Sequence, residues 1–272
     1  MRGGQCLIPQ GFDLAQTLDC GQAFRWGPLP DGSWQGAALG HALVLRQAGG
    51  GVALSCTQAE FDGIWRRYFD LDEDYEEKRR ALSACSPVLA QAAAFAPGIR
   101  ILRQDPWEAL CSFIISQNNN IPRIKGILHR LCQGWGQPIP GSDLHAFPTP
   151  QALAGQSPEG LAPLRAGFRA KYLVDAARKV AGGQVVLEEI AAAPLEDARA
   201  QLQKIQGVGP KVAECALLYG FHRMECFPMD VWMKRAMAVL LPGFSPADFG
   251  GNAGLAQQYL FHYSRLHPEL FA

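Results

Sequence analysis

Residues 204–220 read KIQGVGPKVAECALLYG, and this stretch decides the fold because two glycines and a proline separate two apolar runs of helical spacing. The preceding run ARAQLQKI predicts a helix that stops at Gly207, since glycine readily adopts the left-handed backbone of a helix end. Gly209 permits a second unusual dihedral angle, and Pro210 suits the first turn of the next helix. The stretch therefore predicts a helix, a tight hairpin and a second helix.

The hairpin also predicts an anion site on its backbone. The amides of Gly207, Gly209, Lys211 and Val212 are expected to point outward at the positive end of a helix dipole, where phosphate binds without basic side chains. A Gly-x-Gly turn between two helices is common as a plain connector, which the turn taken alone favours, and a lysine in a first turn commonly faces water. On this stretch alone, both alternatives stay open.

Composition limits the classes of protein. The chain has 272 residues, 48% of them hydrophobic, with 25 basic and 25 acidic residues and a formal net charge of zero. Such a chain folds around a sizeable core, and bulk charge gives it no affinity for polyanions. Any contact with nucleic acid must be local.

The cysteines and the apolar runs predict the compartment. The eight cysteines are widely spread, with no CxxC pair and no zinc-type cluster. The first residues, MRGGQCLIPQ, do not resemble a signal peptide, and no apolar run reaches about 18 residues. We expect an intracellular location: the cytoplasm or nucleoid of a prokaryote, or the nucleus of a eukaryote.

The chain changes character along its length. Short β-type runs divided by turn residues fill residues 22–56, and after FDLDEDY the apolar residues follow helical spacing almost to the end. Residues 136–163, rich in Pro, Gly and Ser, predict a long connection with one short helix. The pattern predicts an α+β fold, with a small antiparallel sheet domain at 1–85 and a mostly helical body at 86–272 that contains the helix-hairpin-helix at about 198–220.

Asp230 stands directly before the helical run VWMKRAM. Aspartate at this position is a good N-cap, because its carboxylate accepts from the first-turn amides. A capping carboxylate can also face a cleft. The sequence around Asp230 alone leaves both interpretations open.

Three motifs carry a resemblance to a known family. GVGPKVAEC at 207–215 followed by FPMDVWMKR at 227–235 resembles the helix-hairpin-helix plus Gly/Pro-Asp signature of base-excision DNA glycosylases, in the lysine form of the bifunctional members. DCGQAFRW at 19–26 and SFIISQNNNIPRIKGILHRLC at 112–132 are similar to stretches of the 8-oxoguanine DNA glycosylases. The match runs in order from about residue 10 to residue 262.

The resemblance implies a monomeric DNA glycosylase and AP lyase of base excision repair that removes 8-oxoguanine paired with cytosine from duplex DNA. It also implies a helical body of two subdomains with the active site in the cleft. The target nucleotide must be flipped out of the duplex. Lys211 is then expected to attack the sugar C1′ and form a Schiff base that permits β-elimination, while Asp230 stabilises the positive sugar.

The resemblance assigns four residues to the flipped base. The carbonyl of Gly21 is expected to accept the N7–H that distinguishes 8-oxoguanine from guanine. Cys215 and Phe261 are expected to lie on opposite faces of the base, and Gln257 to read its Watson–Crick edge. Without the resemblance, Gly21 could be a turn residue, and Cys215 and Phe261 are more simply core residues.

Four further residues are assigned to the partner strand. Asn118, Arg123 and Arg169 match residues that contact the unpaired cytosine, and Phe168 matches a tyrosine wedge that fills the emptied stack. The asparagines could instead form a helix-ending polar turn, and Arg169 could belong to a solvated face.

Catalysis on this interpretation needs no cofactor. No cysteine follows Cys226, so the four-cysteine iron-sulfur cluster of the endonuclease III branch is not expected. The resemblance allows a monovalent cation at the hairpin, held by carbonyls of Gln203, Ile205 and Val208.

The chain departs from the family pattern at two positions. Trp232 stands where eukaryotic members have a histidine that contacts phosphate, so that contact is in doubt, and Gln117 replaces a small residue before the asparagines. Either change could alter pocket affinity, strand preference or strictness toward the opposite base.

Two alternatives in function stay open. One is an alkylated-base glycosylase of the same superfamily, acting as a simple hydrolase. The other is a non-catalytic DNA-binding module that uses the hairpin as a backbone clamp. The clamp interpretation would be favoured by a structure in which the side chains of Lys211 and Asp230 face opposite surfaces. A catalytic site requires that both face one cleft.

Overall fold

A computed structural model describes residues 5–271. The first predicted domain begins with residues 1–4 and the second ends with residue 272, and these five residues lie outside the described part of the chain. Across the described part of the chain, no helix combines the length and the apolar character needed to cross a membrane.

The N-terminal part forms one antiparallel sheet of five strands in the order β1-β5-β4-β3-β2. The strands are β1 (Gln5–Pro9), β2 (Trp26–Pro28), β3 (Trp34–Ala38), β4 (His41–Ala48) and β5 (Gly51–Ser55). Strands β2 to β5 form a meander, because each pairs with the next along the chain. The predicted sheet is confirmed.

Strand β1 lies outside the β-type runs predicted at residues 22–56. Of the first of those runs, QAFRW at 22–26, only Trp26 belongs to β2. β1 pairs antiparallel with β5, from Gln5 opposite Ser55 to Pro9 opposite Gly51. The pairing joins segments about fifty residues apart, which short-range patterns do not reveal.

Helices make up most of the remaining chain. The helices α2 and α3 are joined by a π-helical turn at Phe61–Trp65. The α-helices are α1 (Leu14–Leu18), α2 (Gln58–Glu60), α3 (Arg66–Tyr68), α4 (Tyr75–Cys85), α5 (Pro87–Phe95), α6 (Pro106–Ser116), α7 (Ile121–Trp135), α8 (Pro150–Ala154), α9 (Arg169–Ala181), α10 (Leu187–Ala192), α11 (Leu195–Leu202), α12 (Pro210–Gly220), α13 (Val231–Leu240) and α14 (Ala253–Leu266). The predicted connection at 136–163 carries α8 as its short helix. The α+β fold class is confirmed.

Two apolar clusters underlie this arrangement. One lies beneath the sheet, where Trp26, Trp65, Tyr68 and Phe69 pack with ring centroids 5.1–6.2 Å apart. The other fills the helical body and includes most of α6 and α12. The division of the chain at residue 85 into two domains stays a prediction.

A buried polar cluster joins the region after α3 to the helical body. The carboxylate of Asp70 accepts from Arg103 Nε at 2.6 Å and from the Tyr75 hydroxyl at 2.7 Å, and it lies 3.3 Å from His222 Nε2. Burial disfavours the ionised form, but the hydrogen bonds from His222, Tyr75 and Arg103 outweigh it and hold the pKa of Asp70 below its usual value. The cluster therefore stabilises the fold in a pH-dependent way.

We expect Asp70→Asn to lower the free energy of unfolding at pH 7 by about 1.5–3 kcal/mol, because it removes charge-assisted hydrogen bonds. The folded pKa of Asp70 is depressed, so its contribution is complete above the unfolded value of about 3.9 and is lost as pH falls through the lower folded value. Urea denaturation at pH 7 and at pH 3 measures this difference, which should shrink at the lower pH. Asp72→Asn is the control, since the side chain of Asp72 is 67% exposed and pairs with Arg66 at the surface, where ion pairs contribute little. Equal effects of the two substitutions at pH 7 would contradict the assignment.

Candidate active site

The hairpin differs in one detail from its prediction. Helix α11 ends at Leu202 rather than at Gly207, because tight turns follow it: Ile205 N–H donates to the Leu202 carbonyl at 3.1 Å and Val208 N–H to the Ile205 carbonyl at 3.0 Å. Gly207 has the expected left-handed backbone, with φ +80°. A Cβ there would lie 2.4 Å from the Tyr172 ring, so only glycine fits beneath that ring.

The start of α12 has open backbone donors. Gly209 precedes the helix and supplies no side chain to cap it. The first-turn amides, which include those of Lys211 and Val212, have no intrahelical acceptor. The backbone around Gly209 is therefore arranged as an anion site requires.

Lys211 and Asp230 line one cleft. It has a volume of about 550 Å³ and runs between the start of α12, the start of α13 and the polar segment 116–119. Asp230 also caps α13, because its Oδ1 accepts from Met233 N–H at 2.7 Å. The two interpretations of Asp230 are thus compatible: it caps a helix and faces the cleft.

A second, smaller cavity of about 50 Å³ adjoins the cleft at the same two residues. It brings together the residues predicted for the flipped base with those predicted for catalysis. Its lining comprises Gly21, Phe113, Lys211, Cys215, Tyr219, Pro228, Asp230, Gln257 and Phe261. Of these, Phe113, Tyr219 and Pro228 were not predicted.

Gly21 lies in close contact with the aromatic wall of this cavity. Its φ is +91°, and a Cβ there would lie 3.2 Å from Phe261 Cε1. Backbone conformation and space both favour glycine at this position. The backbone of Gly21 can therefore approach a bound ring closely.

Lys211 is half-buried against aromatic residues. Its Nζ lies 5.6 Å from the centroid of the Phe113 ring, and Phe113 stacks on Tyr219 with centroids 5.1 Å apart. A cation this close to a ring face is attracted by the ring quadrupole. The two rings hold the amine at the mouth of the small cavity.

Cys215 lies one helical turn beyond Lys211 and is 3% exposed. Burial raises the pKa of its thiol to about 11, and the neighbouring Lys211 offsets only part of that rise. The thiol is therefore protonated at neutral pH. Its chemistry suits packing against a ring better than nucleophilic attack.

Tyr219 could have been found from the sequence, whereas Phe113 could not. Lys211, Cys215 and Tyr219 are spaced four residues apart and share one face of α12. Phe113 belongs to α6, which is buried along almost its whole length, so no periodicity marks the side that faces the cavity.

The residues assigned to the partner strand lie apart from the small cavity. Asn118 is exposed, has φ +45° and lines the larger cleft, and Arg123 is exposed with Nη2 3.3 Å from the Arg165 carbonyl. Arg169 is 2% exposed, which rules out the solvated face. Its guanidinium donates to the carbonyls of Gln117 and Asn118, with Nε 2.8 Å from the first and Nη2 2.7 Å from the second.

Phe168 projects from the N-terminal end of α9. Its ring is 48% exposed, although the Arg169 guanidinium lies 4.4 Å from its centroid and the Tyr172 ring 5.8 Å away. The large exposed ring, supported from behind, has the form that an intercalating wedge requires.

The two departures from the family pattern have local partners. Trp232 Nε1–H donates to Ser264 Oγ at 2.9 Å, and its ring lies 4.9 Å from that of Phe271. Gln117 donates through Nε2 to the Ile114 carbonyl at 3.1 Å. The indole N–H of Trp232 therefore already has a hydrogen-bond acceptor within the protein.

Among residues 5–271, no group of three or more His, Cys, Asp or Glu side chains is placed to hold a metal ion. At the hairpin, the Ile205 carbonyl already accepts from Val208 N–H.

The hairpin, the lysine at its exit and the aspartate that caps the next helix define a helix-hairpin-helix protein of base-excision DNA repair. The family model described as "HhH-GPD superfamily base excision DNA repair protein" matches residues 111–242. The model described as "8-oxoguanine DNA glycosylase, N-terminal domain" matches residues 6–110.

Individual relatives narrow the class. The chain is 30% identical to the N-glycosylase/DNA lyase OGG1 of Arabidopsis thaliana over 279 residues, covering 91% of this chain and 76% of that protein. It is 38% identical to the Clostridium acetobutylicum 8-oxoguanine glycosylase/lyase, solved with double-stranded DNA containing cytosine opposite 8-oxoguanine, with a TM-score of 0.89 over 95% of this chain and 93% of that one. The chain belongs to the 8-oxoguanine DNA glycosylase family.

Coverage of one curated relative is partial. The chain is 41% identical to the N-glycosylase/DNA lyase of Saccharomyces cerevisiae over 152 residues, which span 51% of this chain and 40% of that protein.

Proposed function

We propose that this protein is a bifunctional DNA glycosylase and AP lyase that flips 8-oxoguanine, paired with cytosine, out of duplex DNA and excises it. The observation that carries the proposal is the small cavity, where Lys211 and Asp230 meet the predicted base-reading residues Gly21, Gln257 and Phe261. A backbone clamp has no need for such a cavity.

Lys211 is the proposed nucleophile. Its amine attacks the sugar C1′, and the bond from C1′ to the base breaks, the base leaving with a proton from the nitrogen. The nitrogen lone pair then expels O4′, which takes up a proton as the sugar ring opens, and a protonated imine is left at C1′. The imine acidifies the C2′ proton, and removal of that proton breaks the bond from C3′ to the phosphate oxygen. Asp230, in the same cleft, stabilises the positive charge that develops on the sugar.

The base site must widen to work. A cavity of about 50 Å³ holds a few water molecules but not a bicyclic purine. Phe261 is only partly buried, so its ring can shift to admit the base between itself and Cys215. Gly21 then offers its carbonyl to N7–H, and Gln257 meets the Watson–Crick edge.

The DNA itself is held by the hairpin and the opposite-strand residues. The amides around Gly207, Gly209, Lys211 and Val212 bind the backbone near the flipped nucleotide, which needs little net charge.

On the partner strand, Phe168 fills the gap, and Asn118 and Arg123 approach the unpaired cytosine. Arg169 reaches the cytosine only if its guanidinium exchanges the carbonyls of Gln117 and Asn118 for the base.

Catalysis by these groups requires no cofactor, and the protein acts as a monomer on DNA within the cell. Carbonyls of Gln203, Ile205 and Val208 are the proposed ligands of a monovalent cation at the hairpin, which would leave the chemistry unchanged.

A panel of duplexes tests the proposal. The lesion is 8-oxoguanine, ring-opened guanine or 3-methyladenine, the opposite base is varied, and base release and strand nicking are scored separately with borohydride present or absent. We expect fastest release from 8-oxoguanine opposite cytosine, nicking of the same strand and a covalent adduct after reduction. Release of 3-methyladenine without nicking supports the alkylated-base hydrolase instead. Tight binding with neither activity supports the clamp.

A further inference from the structure

A buried chain of hydrogen bonds lies behind Gln257. The Tyr219 hydroxyl is 2.8 Å from Gln258 Oε1 and 3.2 Å from Gln257 Oε1. Gln258 Nε2 donates to the Cys20 carbonyl at 3.0 Å. Tyr219, Gln257 and Gln258 are at most 5% exposed, so water does not compete for these bonds.

The direction of the chain follows from counting protons. The Cys20 carbonyl can only accept, so the amide nitrogen of Gln258 faces it and the amide oxygen faces Tyr219. The amide oxygen of Gln258 can only accept, so the hydrogen bond between it and the Tyr219 hydroxyl must use the single proton of that hydroxyl. The hydroxyl then has no proton left for Gln257 Oε1 at 3.2 Å, so two acceptors would face each other. Exchanging the oxygen and nitrogen of the Gln257 carboxamide, which have nearly the same shape, lets its NH₂ donate to the hydroxyl and restores the hydrogen bond.

The carboxamide of Gln257 is thereby oriented. In this exchanged orientation its nitrogen faces Tyr219, and its oxygen is available to a base in the cavity that Gln257 lines. An acceptor there suits a base whose Watson–Crick edge carries donors, such as the N1–H and the 2-amino group of a guanine-type ring. A carboxamide turned the other way would set NH₂ against the same donors.

We infer that Tyr219 and Gln258 are positioning residues for base recognition: they fix Gln257 as an acceptor and tie it to the backbone beside Gly21. The inference rests on the proposed function, because it concerns which base that same cavity accepts. Gln258 does not line the cavity that holds Lys211, so the chemistry at an abasic site should not depend on Gln258.

The test compares single-turnover release of 8-oxoguanine with release of 8-oxohypoxanthine, which differs only by lacking the 2-amino group, each opposite cytosine. The wild-type enzyme is expected to prefer the amino base by roughly tenfold, the value of one well-placed hydrogen bond to a base edge. Gln258→Met keeps the shape of the side chain but returns the Tyr219 proton to Gln257, so the preference should fall to about one. The rate at which Gln258→Met nicks a preformed abasic site should differ from the wild-type rate by less than about twofold, which shows that the variant is folded.

A matched pair of tyrosines sharpens the result. Tyr219→Phe breaks the chain and should also remove the preference. Tyr259→Phe removes a buried hydroxyl that has no hydrogen-bond partner among the described residues, so it should leave the preference intact.

Gln258→Glu provides a rescue. An oxygen of glutamic acid accepts the Tyr219 proton whether the side chain is protonated or ionised, so Gln258→Glu should keep the preference that Gln258→Met loses. A merely structural role of Gln258 gives no reason for the preference to survive in Gln258→Glu and vanish in Gln258→Met. If wild type and Gln258→Met share the same preference, the inference is wrong; if wild type releases neither base, the proposed function fails first.

Discussion

Lys211→Gln is expected to lower the rate of 8-oxoguanine release by about three orders of magnitude or more and to abolish covalent capture on DNA by borohydride. Glutamine has nearly the length of lysine but no nucleophilic amine. The cleft, the cavity and the hairpin amides do not depend on the Lys211 ammonium, so binding of the duplex should fall far less than catalysis. Single-turnover release, borohydride trapping and binding to uncleaved DNA measure the three quantities.

Two control variants distinguish the loss of the nucleophilic amine from the loss of its positive charge. Lys211→Arg keeps a cation near the Phe113 ring but cannot lose its proton, so it should be as inactive in trapping as Lys211→Gln. Lys234→Gln removes the other lysine that lines the cleft and should trap normally. Covalent capture that persists in Lys211→Gln would show that another amine forms the Schiff base.

The local parts of the fold were predictable because their signals lie within one segment. Gly207 marks the turn, Pro210 begins α12, and alternation with turn residues marks β3, β4 and β5. The strand β1 was missed because its pairing with β5 is nonlocal. The end of α11 was placed too late, because the apolar spacing continues through Ile205 while the backbone already forms tight turns.

The residues of the candidate site also divide into those with local sequence signals and those without. Lys211, Cys215 and Asp230 lie within about twenty residues, so local patterns predicted their places on α12 and at the cap of α13, but their roles in the site were predicted through the family resemblance. Gly21 and Gln257 come from opposite ends of the chain and were predicted only through the family resemblance.

The hydrogen bonds among Tyr219, Gln258 and Cys20 had no sequence signal, since a buried glutamine is expected to be rare and nothing local indicates its partner. Arg169 was equally hidden. Its partners are backbone carbonyls about fifty residues earlier in the chain, so sequence could not tell a solvated arginine from a buried one.

Asp230→Asn separates the two roles of the capping carboxylate. Asparagine caps helices about as well as aspartate and can still accept from Met233 N–H, so the free energy of unfolding should change by less than about 1 kcal/mol. Base release should nevertheless fall by about 10²- to 10³-fold, because a neutral amide cannot balance the positive charge on the sugar as a carboxylate does. Thermal denaturation and single-turnover release measure the two effects independently.

Asp230→Ala and Asp105→Asn complete the comparison. Asp230→Ala loses cap and charge together, so it should release base as slowly as Asp230→Asn while losing about 1 kcal/mol of stability. Asp105 caps α6 through Glu108 N–H at 2.8 Å and lines a different cavity, so Asp105→Asn should leave release unchanged. If Asp230→Asn releases 8-oxoguanine at the wild-type rate, Asp230 acts only as a cap. The positive sugar would then have to be stabilised by other groups in the cleft. Among the described residues that line the cleft, the other charged side chains are the cations Lys211 and Lys234, and neither has the required sign.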